Sequence, residues 1–97
     1  MKAFIHYQEM PFPIPVGSLI RIGSAPGCDI RLPAEPFLSR HHCSVTLLDN
    51  KLTAVDLRSS HGTIVNGNLL PEGSPATLQD GDTLRLGETE LTVQIIE

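Results

Sequence analysis

The sequence predicts an all-β fold, a sandwich of two antiparallel sheets, on three observations. Eight Gly and eight Pro are dispersed along the 97 residues and interrupt each apolar segment before it reaches helical length. Pro removes a helix hydrogen bond and Gly costs backbone entropy, so this density excludes long helices. Between the breakers, hydrophobic and polar residues alternate at period two, which sends one set of side chains to one face of a strand. Such segments recur about every 8–12 residues with polar turns between them, the spacing of a sandwich.

In chain order the strands are expected at Ala3–Tyr7, Leu19–Gly23 and Asp29–Leu32, followed by Ser44–Leu47, where Val45 and Leu47 share a face opposite Ser44 and Thr46. Leu52–Leu57 and Thr63–Val65 come next, then Thr83–Leu86. Leu91–Ile95 gives the cleanest alternation, with Leu91, Val93 and Ile95 on one side of Thr92 and Gln94. Asp49-Asn50 joins two of these strands, and Asn66-Gly67 suits a tight primed turn that needs positive φ. Asp80-Gly81 and Gly87-Glu88 mark two further reversals. There is no internal repeat, low-complexity tract or linker, and residues 1–97 read as one domain.

Composition narrows the function. Lys and Arg number 7 against 11 Asp and Glu, a net charge of −4, and the cations are scattered along the chain. A duplex-binding domain carries a basic footprint, so general nucleic-acid binding is disfavoured. One Tyr, three Phe and no Trp leave little for a base-stacking platform. No apolar run approaches the roughly 20 residues of a membrane span, and the first residues lack the apolar stretch of a secretory leader. The expected setting is cytoplasmic, with Cys28 and Cys43 as reduced thiols that pack like small hydrophobes.

Enzyme chemistry finds no support. A Gly-x-Ser-x-Gly elbow and a Gly-x-x-x-x-Gly-Lys loop are both absent, and no third group is placed to orient His42 as a base for Ser39. His41, His42, Cys28, Cys43 and His61 invite a metal reading. Neighbouring residues on an extended segment point to opposite faces, however, and no zinc-ligand spacing is present. Neither a metal nor a cofactor is expected.

Four clusters stand in order. Ile22-Gly23-Ser24 precedes Cys28-Asp29-Ile30-Arg31-Leu32, and Leu38-Ser39-Arg40-His41-His42 follows. The third runs from Asp56-Leu57-Arg58-Ser59-Ser60-His61-Gly62-Thr63 to Asn66-Gly67, and the fourth is Leu78-Gln79-Asp80-Gly81-Asp82-Thr83-Leu84-Arg85-Leu86-Gly87. From about Leu19 to Ile95 this series resembles the forkhead-associated (FHA) domain, a phosphothreonine-recognition module. The resemblance implies a sandwich of about eleven short strands with the ligand site in the loops at one end.

Carried over by position, the resemblance makes Ser39 the phosphate-gripping serine and Arg40 its cationic neighbour. Ser60 would share the phosphate contact and His61 would hold the peptide backbone. His42 becomes a loop-organising scaffold residue, while Gly23, Gly62, Asn66 and Gly67 shape the backbone. Ser24 occupies the position where the family carries a phosphate-binding Arg, and His61 stands where it usually has Asn. A hydroxyl gives one neutral bond in place of a charge-assisted one, a difference large enough to weaken binding about tenfold. Arg58 is a further cation in the loop clusters. The expected function is phosphothreonine-dependent protein binding in signalling, with a phosphothreonine-containing protein or peptide as partner and no role for nucleic acid or membrane. Ser24 keeps a second reading open, a degenerate domain that mediates phosphate-independent protein–protein assembly. Because such domains usually sit beside others, the chain is also expected to be a piece of a longer protein.

Overall fold

The computed structural model describes all 97 residues. It contains eleven strands and no helix: β1 (Lys2–Tyr7), β2 (Met10–Ile14), β3 (Leu19–Gly23), β4 (Ile30–Arg31), β5 (Cys43–Leu48), β6 (Lys51–Asp56), β7 (Thr63–Val65), β8 (Asn68–Leu69), β9 (Ala76–Leu78), β10 (Thr83–Leu86) and β11 (Thr89–Ile96). One sheet has the order β2-β1-β11-β10-β7-β8 and the other β4-β3-β5-β6-β9.

The alternating segments became strands where expected. In β11, Leu91 and Val93 are buried while Thr92 is exposed, and Leu84 and Leu86 of β10 lie beside them in the core. Val45 and Leu47 of β5 face Ile5, Ile22, Ile30 and Leu52 in a single apolar cluster between the sheets. Ser44 departs from the expected pattern: it is buried on the other face of β5, flanked in register by Arg21 and Val55. Asp49 and Asn50 have φ of 54° and 56°, and Asn66 and Gly67 have 49° and 82°, the paired positive values of a primed hairpin turn.

The two sheets are antiparallel as expected, except at one strand pairing. β4 runs parallel to β3, with Ile22 opposite Ile30 and Gly23 opposite Arg31. The cause is local. The Cys28 amide donates to the Ala25 carbonyl at 3.1 Å, and a carboxylate oxygen of Asp29 accepts from the Arg21 amide at 2.9 Å. These bonds fold the Ser24–Asp29 loop back along the strand it left. Parallel pairing normally needs a crossover of a dozen or more residues, and here it involves the two residues of β4 and one isolated bridge between Val16 and Leu47.

Three strands carry no readable alternation. β2 holds Pro11 and Pro13, which disguise it as a turn. It survives because it is an edge strand, where no neighbour requires the missing N–H, and the same residues discourage further pairing. β8 and β9 are two and three residues long, too short for a pattern.

Register brings the functional loops together. Ile22 pairs with Cys43 and Cys43 with Asp56, while Thr63 pairs with Leu86 and Leu86 with Thr89. The end of β3, the start of β5, the end of β6, the start of β7 and the β10–β11 turn therefore meet at one end of the sandwich.

Candidate functional site

The site begins with an approach only Gly permits. A Cβ on Gly23 would lie 2.7 Å from the Arg40 carbonyl carbon and 3.0 Å from the Ser39 carbonyl oxygen. With that space empty, the amide of Ser24 donates to the Ser39 carbonyl at 3.3 Å and that of Ala25 to the Arg40 carbonyl at 3.0 Å. The Cys28 thiol donates to the same Arg40 carbonyl at 3.2 Å. The β4–β5 loop is thereby laced to the end of β3.

His42 joins this loop to the next one. Its side chain is fully buried. The Ser39 amide donates to Nδ1 at 3.1 Å, which leaves the ring hydrogen on Nε2, and Nε2 donates to the Gly62 carbonyl at 2.8 Å. The His42 backbone also donates to Ile22 and accepts from Leu57, each at 2.9 Å. Gly62, at φ +84°, supplies the left-handed turn that aims its carbonyl at the ring.

Asp56 holds the β6–β7 loop from beneath. Its Oδ1 accepts from the hydroxyls of Ser59 at 2.6 Å and Thr63 at 2.7 Å, and its Oδ2 from the Ser59 amide at 3.2 Å. A buried carboxylate is costly unless bonded, and this one is bonded on both oxygens. Nearby, burial first, then the Asp56 charge and then Cys28, push the Cys43 thiol far above its ordinary range, so it stays protonated.

At the mouth of this frame the Ser39 hydroxyl accepts from the Ser60 amide at 3.0 Å, tying two of the expected ligand residues directly together. Having accepted that bond, the hydroxyl retains its own hydrogen for a donor role. Arg40 is exposed and has no carboxylate partner. His61 is exposed and meets Phe37 edge to face, with ring centroids 4.9 Å apart. Ser24 is half-buried, and its hydroxyl makes no hydrogen bond within the protein. Arg58 stands apart from the others: its backbone has φ 58°, and its guanidinium pairs with Glu72 at 3.4 Å on the protein surface. Asn66 and Gly67 lie at the other end of β7, where Asn66 accepts from the Thr83 amide at 2.9 Å and donates to Asp82 at 2.8 Å.

Sequence reading missed four contributors. Asp56 braces the loop, and its one available signal was the Asp-x-x-Ser spacing to Ser59, typical of a side chain that bonds backbone just downstream. Glu35 accepts from the amides of Phe37 and Glu88, both at 2.7 Å, and so clamps the β4–β5 loop to the β10–β11 turn. Phe37 backs His61. Arg31 donates from Nε to the Ser24 carbonyl at 3.2 Å. No group of three or more His, Cys, Asp or Glu side chains converges to hold a metal.

The sequence model of the FHA domain family matches residues 20–87 of this chain. The chain belongs to the FHA domain family. It is 32% identical over 84 residues to a probable serine/threonine-protein kinase, fhkA, of Dictyostelium discoideum, covering 78% of this chain and 14% of the kinase. The chain spans between 7 and 14% of the length of the curated relatives it matches. In structure, this FHA domain superposes on that of the CT664 protein of Chlamydia trachomatis with a TM-score of 0.91 at 24% identity, over all of both chains, a likeness of fold. It also superposes on the MEK1 FHA domain in complex with a HOP1 phosphothreonine peptide, with a TM-score of 0.86 at 25% identity over 98% of this chain and 97% of that one.

Proposed function

We propose that this FHA domain is a phosphothreonine-dependent protein-binding module whose ligand is an extended phosphopeptide laid across the β3–β4, β4–β5 and β6–β7 loops. The observation that carries this reading is the pair formed by the Ser39 hydroxyl and the Ser60 amide at the mouth of the loops, held from below by His42 and flanked by the unpaired Arg40. The MEK1 domain of the same fold, bound to a phosphothreonine peptide, supports it.

In this reading Ser39 donates its hydroxyl hydrogen to a phosphate oxygen and Arg40 supplies charge. A charge-assisted bond contributes about 1.5–3 kcal/mol, against about 1 for a neutral one, so Arg40 dominates the energetics. Ser60 adds its hydroxyl, and Ser24 a second neutral donor. His61, steadied by Phe37, bonds the peptide backbone, where a ring carrying one donor and one acceptor takes the place of an Asn amide. Arg58, almost fully exposed and making only a screened surface pair with Glu72, is assigned no phosphate contact.

The same geometry argues against hydrolysis. Both ring nitrogens of His42 are taken by backbone groups, so no lone pair remains to draw a proton from Ser39. The ligand is a product of a Ser/Thr kinase acting on a partner protein.

The test is fluorescence anisotropy with a degenerate phosphothreonine peptide pool, beside matched unphosphorylated and phosphoserine pools. Selective capture of the phosphothreonine pool, lost in Ser39→Ala and Arg40→Ala, is expected. Equal capture of the unphosphorylated pool, or binding unchanged in both variants, would overturn the reading and favour phosphate-independent assembly.

A further inference from the structure

Resting on that reading of the site, we infer that Arg31 supplies the phosphate-binding charge missing at Ser24. Ser24 follows Gly23 at the position where the resemblance calls for an Arg, and its short side chain brings no charge. The backbone of Ser24 is nevertheless held between two groups. On one side its amide donates to the Ser39 carbonyl at 3.3 Å. On the other its carbonyl accepts from Arg31 Nε at 3.2 Å. One residue therefore separates the Arg31 guanidinium from the loop that carries Ser39 and Arg40.

The parallel pairing of β4 with β3 makes this possible. Arg31 lies opposite Gly23, on the face away from buried Ile22 and Ile30, beside the strand end where the loops meet. The Nε bond to Ser24 fixes the base of the guanidinium and leaves both terminal nitrogens free to donate. No carboxylate lies within 4.0 Å of Arg31, since the one ion pair in the molecule joins Arg58 to Glu72. An Arg fork anchored at one nitrogen and open at two is the arrangement that suits bidentate recognition of a phosphate dianion. Arg21, two residues before Gly23 on β3, is also exposed, but its side chain makes no bond to the site loops.

The experiment measures affinity for a phosphothreonine peptide pool built without Asp and Glu and amidated at the C-terminus, so that phosphate is the one anion a guanidinium can meet. Arg31→Ala should lower affinity about tenfold or more, with Arg31→Lys intermediate because it keeps the charge and loses the fork. Arg21→Ala should change little. Introducing Ser24→Arg should restore binding in the Arg31→Ala protein, and in that background the loss of Arg31 should cost much less than in the parent, the non-additivity of two groups serving one anion. Capture by the parent with Arg31→Ala equally tight would overturn the role of Arg31 and leave the site standing. Equal losses in Arg21→Ala and Arg31→Ala would also overturn it, by assigning the effect to general charge. Binding gained by Ser24→Arg alone, with none in the parent, would show that Arg31 does not compensate. Absence of binding in both would overturn the site reading itself.

Discussion

Replacing Gly23 by Ala tests the frame that holds the site, because the added methyl meets backbone and not a movable side chain. The new Cβ would lie 2.7 Å from the Arg40 carbonyl carbon and 3.0 Å from the Ser39 carbonyl oxygen. Relieving that overlap requires the Ser39–Arg40 segment to withdraw from β3, which breaks the Ser24–Ser39 and Ala25–Arg40 backbone bonds. Each such bond contributes about 1 kcal/mol net, and forced overpacking adds about 1–3, so the loss should reach roughly 3–5 kcal/mol. A domain with about 5–15 kcal/mol of stability can remain folded after such a loss. The assay is urea unfolding, paired with phosphopeptide anisotropy on the folded fraction. Gly67→Ala is the comparison, since open space surrounds that position but its φ of +82° is left-handed. Strain alone costs about 1–2 kcal/mol there, and peptide binding at the far end of the sandwich should be unaffected. If Gly23→Ala is within about 0.5 kcal/mol of the parent and binds peptide normally, the close approach is not what holds the loops together.

Three more outcomes follow from the same contacts. His42→Ala leaves the Ser39 amide and the Gly62 carbonyl without partners and opens a cavity, so unfolding free energy should drop by about 3–5 kcal/mol and peptide affinity with it. Asp56→Asn turns an amide donor toward at least one of the donors of Ser59 and Thr63, costing about 1–3 kcal/mol in urea melts and speeding hydrogen exchange at the Ser59 amide. Burial raises the folded-state value of the Cys43 thiol above its ordinary 9.0, so above that pH the unfolded chain releases a proton the folded one keeps. Stability should therefore fall as pH rises beyond 9.0, and Cys43→Ala should remove up to about 1.4 kcal/mol per pH unit of that slope.

Where burial is one-sided, sequence spells out structure. Strands β10 and β11 alternate strictly because one face packs on the core and the other meets water, and the Asn66-Gly67 turn declares itself because few residues accept left-handed backbone. Strand β2 stayed hidden since edge position, a tertiary property, is what makes Pro11 and Pro13 tolerable. The parallel course of β4 depends on a loop bond between Asp29 and the Arg21 amide that no periodicity encodes. Within the site, Gly23, Ser39 and His42 were legible as ordered motif positions. The roles of Glu35 and Arg31 were not, because each depends on a loop's course in three dimensions, whether the partner is far along the chain, as Glu88 is, or only seven residues away, as Ser24 is. Glu35 reaches Glu88 across the end of the sandwich, and Arg31 reaches Ser24 through strand pairing.

In the proposed function, the loop cluster at the Gly23 end, built on Ser39, Arg40 and Ser60, receives a phosphothreonine. An amide-resolved NMR titration with the degenerate phosphothreonine pool tests it most directly, because each loop reports separately. Shifts should concentrate at Ser24, Ser39–His41 and Ser60–His61 and be absent with the unphosphorylated pool. Shifts confined to the opposite end, around the apolar cavity lined by Pro15, Val16 and Leu47, would contradict it.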